Sequence, residues 1–199
     1  MVHIVDSLMQ HHDKLFIMMQ FLGNHSFFTN YEKEFDIYKP NAYSCTDEEK
    51  LTSDSLLINA YDNSILYTDW VLSSIIDVID RPDIVSSFVF VSDHGEHISK
   101  EGAGHGGNCS PVKEEYHVPF IFWWSDEYEA LYPEKTYYAK SHTHSKINGD
   151  CIFYSLCDMA DIQLDSIYAA PSWSVFSSRF EEHPRLILLP DGINSIAVD

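Results

Sequence analysis

The stretch "FVFVSDHGEHISKEGAGHGG", Phe88 to Gly107, decides how this chain is read. Its first four residues are a continuous apolar run, the composition of a strand packed on both faces. The run stops in Ser92-Asp93-His94-Gly95-Glu96, so a carboxylate and an imidazole stand side by side where a buried strand ends. A second His-Gly follows at His105-Gly106 in a glycine-rich loop. In sheets whose strands alternate with helices, ligands bind beyond the carboxyl ends of the strands. Polar, metal-competent side chains at such an end point to a site.

Outward from that stretch, the chain repeats the same grammar. "LFIMMQFL" (15–22) is another apolar run, ending in Gly23-Asn24-His25-Ser26. "HVPFIFWW" (117–124) is a third, with Pro119 near its start, where a missing N–H does least harm. Residues 1–12 read as a short amphipathic helix on Val2, Val5, Leu8 and Met9. Thr46 and Glu49 make a capping box that opens a helix expected to run to about Val78 and to end before Arg81-Pro82. Its buried side is expected to carry Leu57, Tyr61, Ile65, Tyr67 or Thr68, Leu72, Ile75 or Ile76, and Ile79. "GDCIFYSLCDMADI" (149–162) is a last helix, and Pro190-Asp191-Gly192 turns a terminal hairpin. Strands alternating with helices predict an α/β fold with a mainly parallel sheet flanked by helices.

Composition bounds the function. With 199 residues, 45% of them hydrophobic and 14% aromatic, the chain can bury a real core. A net charge of −19, with only 12 Lys and Arg, argues against nucleic acid and anionic lipid surfaces as partners. The four cysteines, Cys45, Cys109, Cys151 and Cys157, lack the CxxC spacing of a zinc ribbon or thioredoxin-like motif. No apolar run reaches the roughly 18 residues that span a bilayer. The opening residues, interrupted by Asp6, His11, His12 and Asp13, do not read as a signal peptide. As it stands the chain is expected to be soluble.

If the first two strands are parallel neighbours, His25, Asp93 and His94 meet at one rim, and His105 returns to it on the glycine loop. One carboxylate with two or three imidazoles is a ligand set for zinc or a related divalent ion such as manganese. The bland alternative is a helix-capping Asp93 beside a surface histidine. His3, His11, His12, His97, His117, His142, His144 and His183 read mostly as exposed polar residues.

The ordered set "FLGNHSFF", "SCTDEEKL", "AYDNSILYTDWVL", "FVFVSDHGE", "GHGG" and "HVPFIFWWSDEY" resembles the alkaline phosphatase/sulfatase superfamily. Within it the set is most similar to the membrane-anchored phosphoethanolamine transferases that modify lipid A or core sugars. The resemblance covers roughly residues 10–165 and implies an alkaline phosphatase-like fold. It makes Asp93 and His94 ligands of a catalytic zinc, with His25 and His105 binding a second metal or the phosphoryl group. It implies phosphatidylethanolamine as donor and a lipopolysaccharide or glycan as acceptor. It also implies work at the periplasmic face of the inner membrane.

Tyr61, Asp62 and Asn63 match a signature of the family and are read as packing and hydrogen bonding at the start of a helix that borders the site. Gly-Asn-His stands where the family has Gly-Ser-His, and the second cysteine often found near the position of Cys45 is missing. The family's nucleophilic threonine, a further acidic ligand and its transmembrane helices have no match here. Residues 1–199 are therefore expected to be the C-terminal portion of a single sulfatase-like catalytic domain, inactive when isolated. A hydrolase or phosphoglycerol transferase of the same superfamily, or a non-catalytic module that binds metal or glycan, are the alternatives.

Overall fold

The computed structural model describes residues 1–25, 28–41, 54–99, 102–105, 112–166, 168–189 and 194–198. The capping box at Thr46, Cys45, Cys109, Gly106 and the turn at Pro190 lie outside these residues. The chain divides into two compact units, Met1–Arg81 with Phe88–Ile121 and Pro82–Ser87 with Phe122–Asp199.

The first unit is organised by one long helix. The apolar spacing at its N-terminus gives α1 (Val2–His11), which buries Val5. Its Asp6 Oδ1 accepts from Arg81 Nη2 at 2.5 Å, and that guanidinium holds the Asp6 carboxyl below its usual range. Arg81 follows α2 (Asp54–Ile79), which ends just before Arg81-Pro82, as the sequence predicts. The buried stripe of α2 runs through Leu56, Ala60, Asn63, Ser64, Thr68, Val71, Leu72 and Ile75, a helical period. Ile65, expected inside, is 44% exposed, because in the first half of the helix small and polar residues take the inner face.

That inner face is polar because loop backbone docks on it. Asn63, fully buried, accepts from the backbone N–H groups of Ile37 and Tyr38 at 3.1 and 2.9 Å. It donates to the Tyr38 carbonyl and the Tyr31 hydroxyl at 3.1 and 3.3 Å. All four hydrogen-bonding positions of the amide are thus filled, which a buried asparagine requires. Of the Tyr61-Asp62-Asn63 motif, it is Asn63 that carries the hydrogen bonding, from within α2 and not at its start.

β1 (Ser87–Val91) and β4 (Phe120–Trp124) pair as a two-stranded sheet. Most of their side chains are only half-buried, so neither is the strand buried on both faces that its composition suggests. Residues 15–22 form no strand. They carry no regular secondary structure, with Phe16 81% and Met18 88% exposed, while Phe21 packs its ring 6.4 Å from that of Phe90. An apolar run becomes a strand only when a neighbour completes its ladder, and among the described residues no strand pairs with it. β2 (His97–Ser99) and β3 (Gly102–Gly104) form a short antiparallel hairpin. α3 (Lys113–Tyr116) follows.

In the second unit, Ser125 caps α4 (Asp126–Leu131) by accepting the Tyr128 N–H at 3.2 Å. The same hydroxyl donates to the Ile84 carbonyl, which explains a fully buried serine. Pro133 opens α5 (Pro133–Ser141) at a position where its missing N–H costs nothing. α6 (Asp150–Met159) buries Cys151, Ser155 and Met159, and the Tyr128 hydroxyl donates to the Met159 carbonyl at 2.7 Å. Phe176, almost wholly buried, meets the rings of Phe122 and Trp124 edge-on. β5 (Arg185–Leu188) and β6 (Ser195–Val198) are the expected terminal hairpin, antiparallel with Arg185 opposite Val198. Cys151 and Cys157 are free thiols, and burial pushes the Cys151 thiol upward.

Candidate active site

The chain leaves β1 into Ser92-Asp93-His94 and is stopped by Gly95. The Gly95 N–H donates to the Glu115 carbonyl at 2.7 Å, and a Cβ at Gly95 would sit 1.9 Å from the Glu114 carbonyl oxygen. Only a glycine lets the two backbones approach this closely. The Ser92 hydroxyl donates to the His94 carbonyl at 2.6 Å, closing the turn from the other side. The His94 side chain is fixed by its own loop: Nδ1 lies 3.0 Å from the Gly95 carbonyl oxygen. A carbonyl only accepts, so Nδ1 carries the proton and Nε2 keeps its lone pair.

The hairpin then returns the chain. Its register sets His97 opposite Gly104, so the next pair outward is Glu96 opposite His105. Glu96 Oε1 and His105 Nδ1 are 2.7 Å apart. The His105 ring stacks on that of His94, with centroids 3.7 Å apart, and stands 6.1 Å edge-on from the ring of His25. The structure therefore brings together the three histidines that the sequence singled out.

His25 arrives from another direction. Gly23 adopts φ +51°, the left-handed region that glycine enters at no cost, and turns the chain away from the 15–22 run. Asn24 then grips α2: its amide donates to Ser64 Oγ at 2.7 Å, and its carbonyl accepts from Thr68 Oγ1 at 3.0 Å. Three residues past His25, the buried Phe28 holds φ 48° and packs edge-on against Tyr61, with ring centroids 5.0 Å apart. A bulky residue in that region is strained, a feature found around functional sites.

Asp93 sits differently from its neighbours. Its side chain is 88% exposed, and Oδ1 lies 3.9 Å from His94 Nε2 while accepting the His94 backbone N–H at 3.1 Å. The second carboxylate of the turn, Glu96, which the motif alone does not single out, has a side chain only 6% exposed. One ligand atom from each of His94, Glu96 and His105 falls within 4.8 Å of the others, close enough for one cation. Tyr61 borders the group. Burial raises its phenol above the usual value, and the nearby charge of Glu96 adds to the rise.

Some histidines read as exposed have structural partners instead. His97 Nδ1 stands 3.0 Å from Oε1 of the buried Glu115. His142 Nδ1 donates to the Val175 carbonyl at 2.8 Å, and His183 stacks on Trp173 at 3.6 Å.

A family profile described as Sulfatase matches residues 1–162, so the chain belongs to the sulfatase family. The phosphoethanolamine transferase EptA of Helicobacter pylori is 27% identical over 187 residues, 90% of this chain and 34% of that protein. The Kdo(2)-lipid A phosphoethanolamine 7''-transferase of Escherichia coli is 34% identical over 119 residues, 58% of this chain and 20% of that protein. Among solved structures, the C-terminal periplasmic domain of EcEptC from Escherichia coli, complexed with Zn, superposes with a TM-score of 0.69 at 25% identity. That match covers 89% of this chain and 49% of the domain. A second structure of the domain gives 0.70 at 22% identity. The fold is α/β and alkaline phosphatase-like, as the resemblance implies, although two of the three small sheets among the described residues are antiparallel. The chain spans about a third of the length of the curated relatives it matches. No helix among the described residues is long and apolar enough to cross a membrane.

Proposed function

We propose that these residues are the C-terminal portion of the catalytic domain of a phosphoethanolamine transferase, and that they supply the histidine side of its active site. The observation that carries this reading is the meeting of His25, His94 and His105 in one place. The relatives named above are phosphoethanolamine transferases, and one is named for lipid A.

The residues suit a divalent cation, zinc first. His94 offers Nε2 because Nδ1 is bound to a carbonyl, and the Asp93 carboxylate lies within reach of that nitrogen. Asp93 and His94 hold the ion, with the remaining ligands supplied from outside these 199 residues. A cation there supplies Lewis acidity toward the phosphoryl oxygens.

The other groups of the chain act on the substrate. His25 and His105, grouped with His94, bind a second cation or face the phosphoryl oxygens, and there they offset the negative charge that builds on those oxygens. An imidazole there also returns a proton to the departing oxygen as the phosphorus–oxygen bond of the donor breaks. The donor is phosphatidylethanolamine, and the departing group is diacylglycerol. Phosphoethanolamine passes to a threonine hydroxyl outside this chain, and from it to a lipopolysaccharide acceptor at the periplasmic face of the inner membrane.

Two measurements test the reading. Zinc calorimetry on this chain is expected to show weak binding that His94→Ala abolishes, with no transfer activity. In a longer protein that carries these residues, transfer to lipid A is expected and is lost with His94→Ala. Full transfer in that variant overturns the reading.

A further inference from the structure

We infer that Glu96 is a positioning residue for His105: its buried carboxylate accepts the Nδ1 proton, so that His105 keeps the Nε2 lone pair available beside the stacked ring of His94. The inference deepens the functional reading above and rests on it for the identity of the site.

The two carboxylates of the Ser-Asp-His-Gly-Glu turn have divided their roles by exposure. Asp93 is 88% exposed and Glu96 only 6%. A buried carboxylate needs a hydrogen-bonding or charged partner to offset lost hydration, and the hairpin register supplies one by setting Glu96 across from His105. The β2–β3 hairpin itself packs against α2.

The distance separates a positioning role from that of a ligand. Two ligands of one tetrahedral zinc, each about 2.0–2.1 Å from it, stand about 3.3 Å apart. Glu96 Oε1 and His105 Nδ1 are 2.7 Å apart, the length of a charge-assisted hydrogen bond. An ionised carboxylate only accepts, so Nδ1 of His105 carries the proton and Nε2 the lone pair. His94 reaches the same tautomer by a different route, through the Gly95 carbonyl. Two stacked imidazoles, each held through Nδ1 by an acceptor from the same turn, are thereby set with the same nitrogen available. Ligating and proton-transferring histidines are commonly oriented in this way, and loss of such a partner typically costs ten- to a hundredfold in metal affinity.

The test is carried out on the whole 199-residue chain. Nitrogen-15 NMR of the histidine rings, without metal, is expected to show His105 as the Nδ1–H tautomer. Glu96→Gln, whose side-chain carbonyl still accepts, keeps that tautomer, and Glu96→Ala gives a mixture. With zinc alone as the probe, affinity falls about ten- to a hundredfold in Glu96→Ala and clearly less in Glu96→Gln. An Nε2–H tautomer in the wild type, or an unchanged tautomer in Glu96→Ala, overturns the inference. Equal losses of affinity in both variants also overturn it and make Glu96 a ligand. If zinc fails to bind while the tautomer still follows Glu96, the positioning role stands and only the functional reading falls. The isosteric Glu96→Gln and the wild-type spectrum decide the matter even if Glu96→Ala does not fold.

Discussion

Two loops bring histidines to the candidate site, and they are held by opposite means. The loop at Gly23-Asn24-His25 is tied by a side chain: Asn24 reaches Ser64 and Thr68 on α2 and fills both ends of its amide. The loop from Ser92 to His105 is tied by backbone: Gly95 is pressed against the Glu114 carbonyl, and a hairpin register returns His105. A side-chain tether can be replaced by another polar residue of suitable reach. A backbone tether admits no side chain at all. By this contrast the first loop tolerates another polar residue at position 24, whereas Gly95 has no substitute.

The contrast yields graded expectations. Gly95→Ala forces a Cβ onto backbone that cannot swing aside, so we expect a loss of about 3 kcal/mol or more in denaturant unfolding. A variant with the wild-type midpoint would show that the second loop is not held by close approach. Asn63→Ala strands the part-buried N–H groups of Ile37 and Tyr38 and empties a fully buried site on α2, and calorimetric unfolding should register about 2 kcal/mol. Asn24→Ala breaks the first tether at about 1 kcal/mol, and Asn24→Ser should recover part of it. If Asn24→Ser is worse than Asn24→Ala, the tether is not a matter of polarity and reach. Asp93→Asn, at an exposed side chain, should move stability by less than about 0.5 kcal/mol while weakening zinc binding. A large stability loss there would mean the carboxylate is structural.

Much of the site was legible in the sequence because its residues sit where an apolar period breaks. Ser-Asp-His-Gly-Glu after a four-residue apolar run marks a strand end, and β1 stops at Val91. The pairing of Glu96 with His105 was hidden. "GAGHGG" reads as irregular loop by composition, whereas "EHIS" and "GAGH" flank only Lys100-Glu101, a two-residue spacing that signals a hairpin. That spacing was the available clue to Glu96. The 15–22 run misled for the converse reason: apolarity reports a preference for burial but not the presence of a neighbour to pair with. Ile65 points outward because Asn63 and Ser64, polar residues that no hydrophobic period would place inside, take the inner face of α2 to serve the loops.

The central claim, that His94 and His105 stand together at the cation site, is tested most directly by following all 11 histidine rings by NMR as zinc is added to the chain. The account predicts that the Nε2 resonances of His94 and His105 move together at the lowest zinc concentrations. Zinc that first shifts His3, His11 or His12 and leaves this pair unmoved would contradict it.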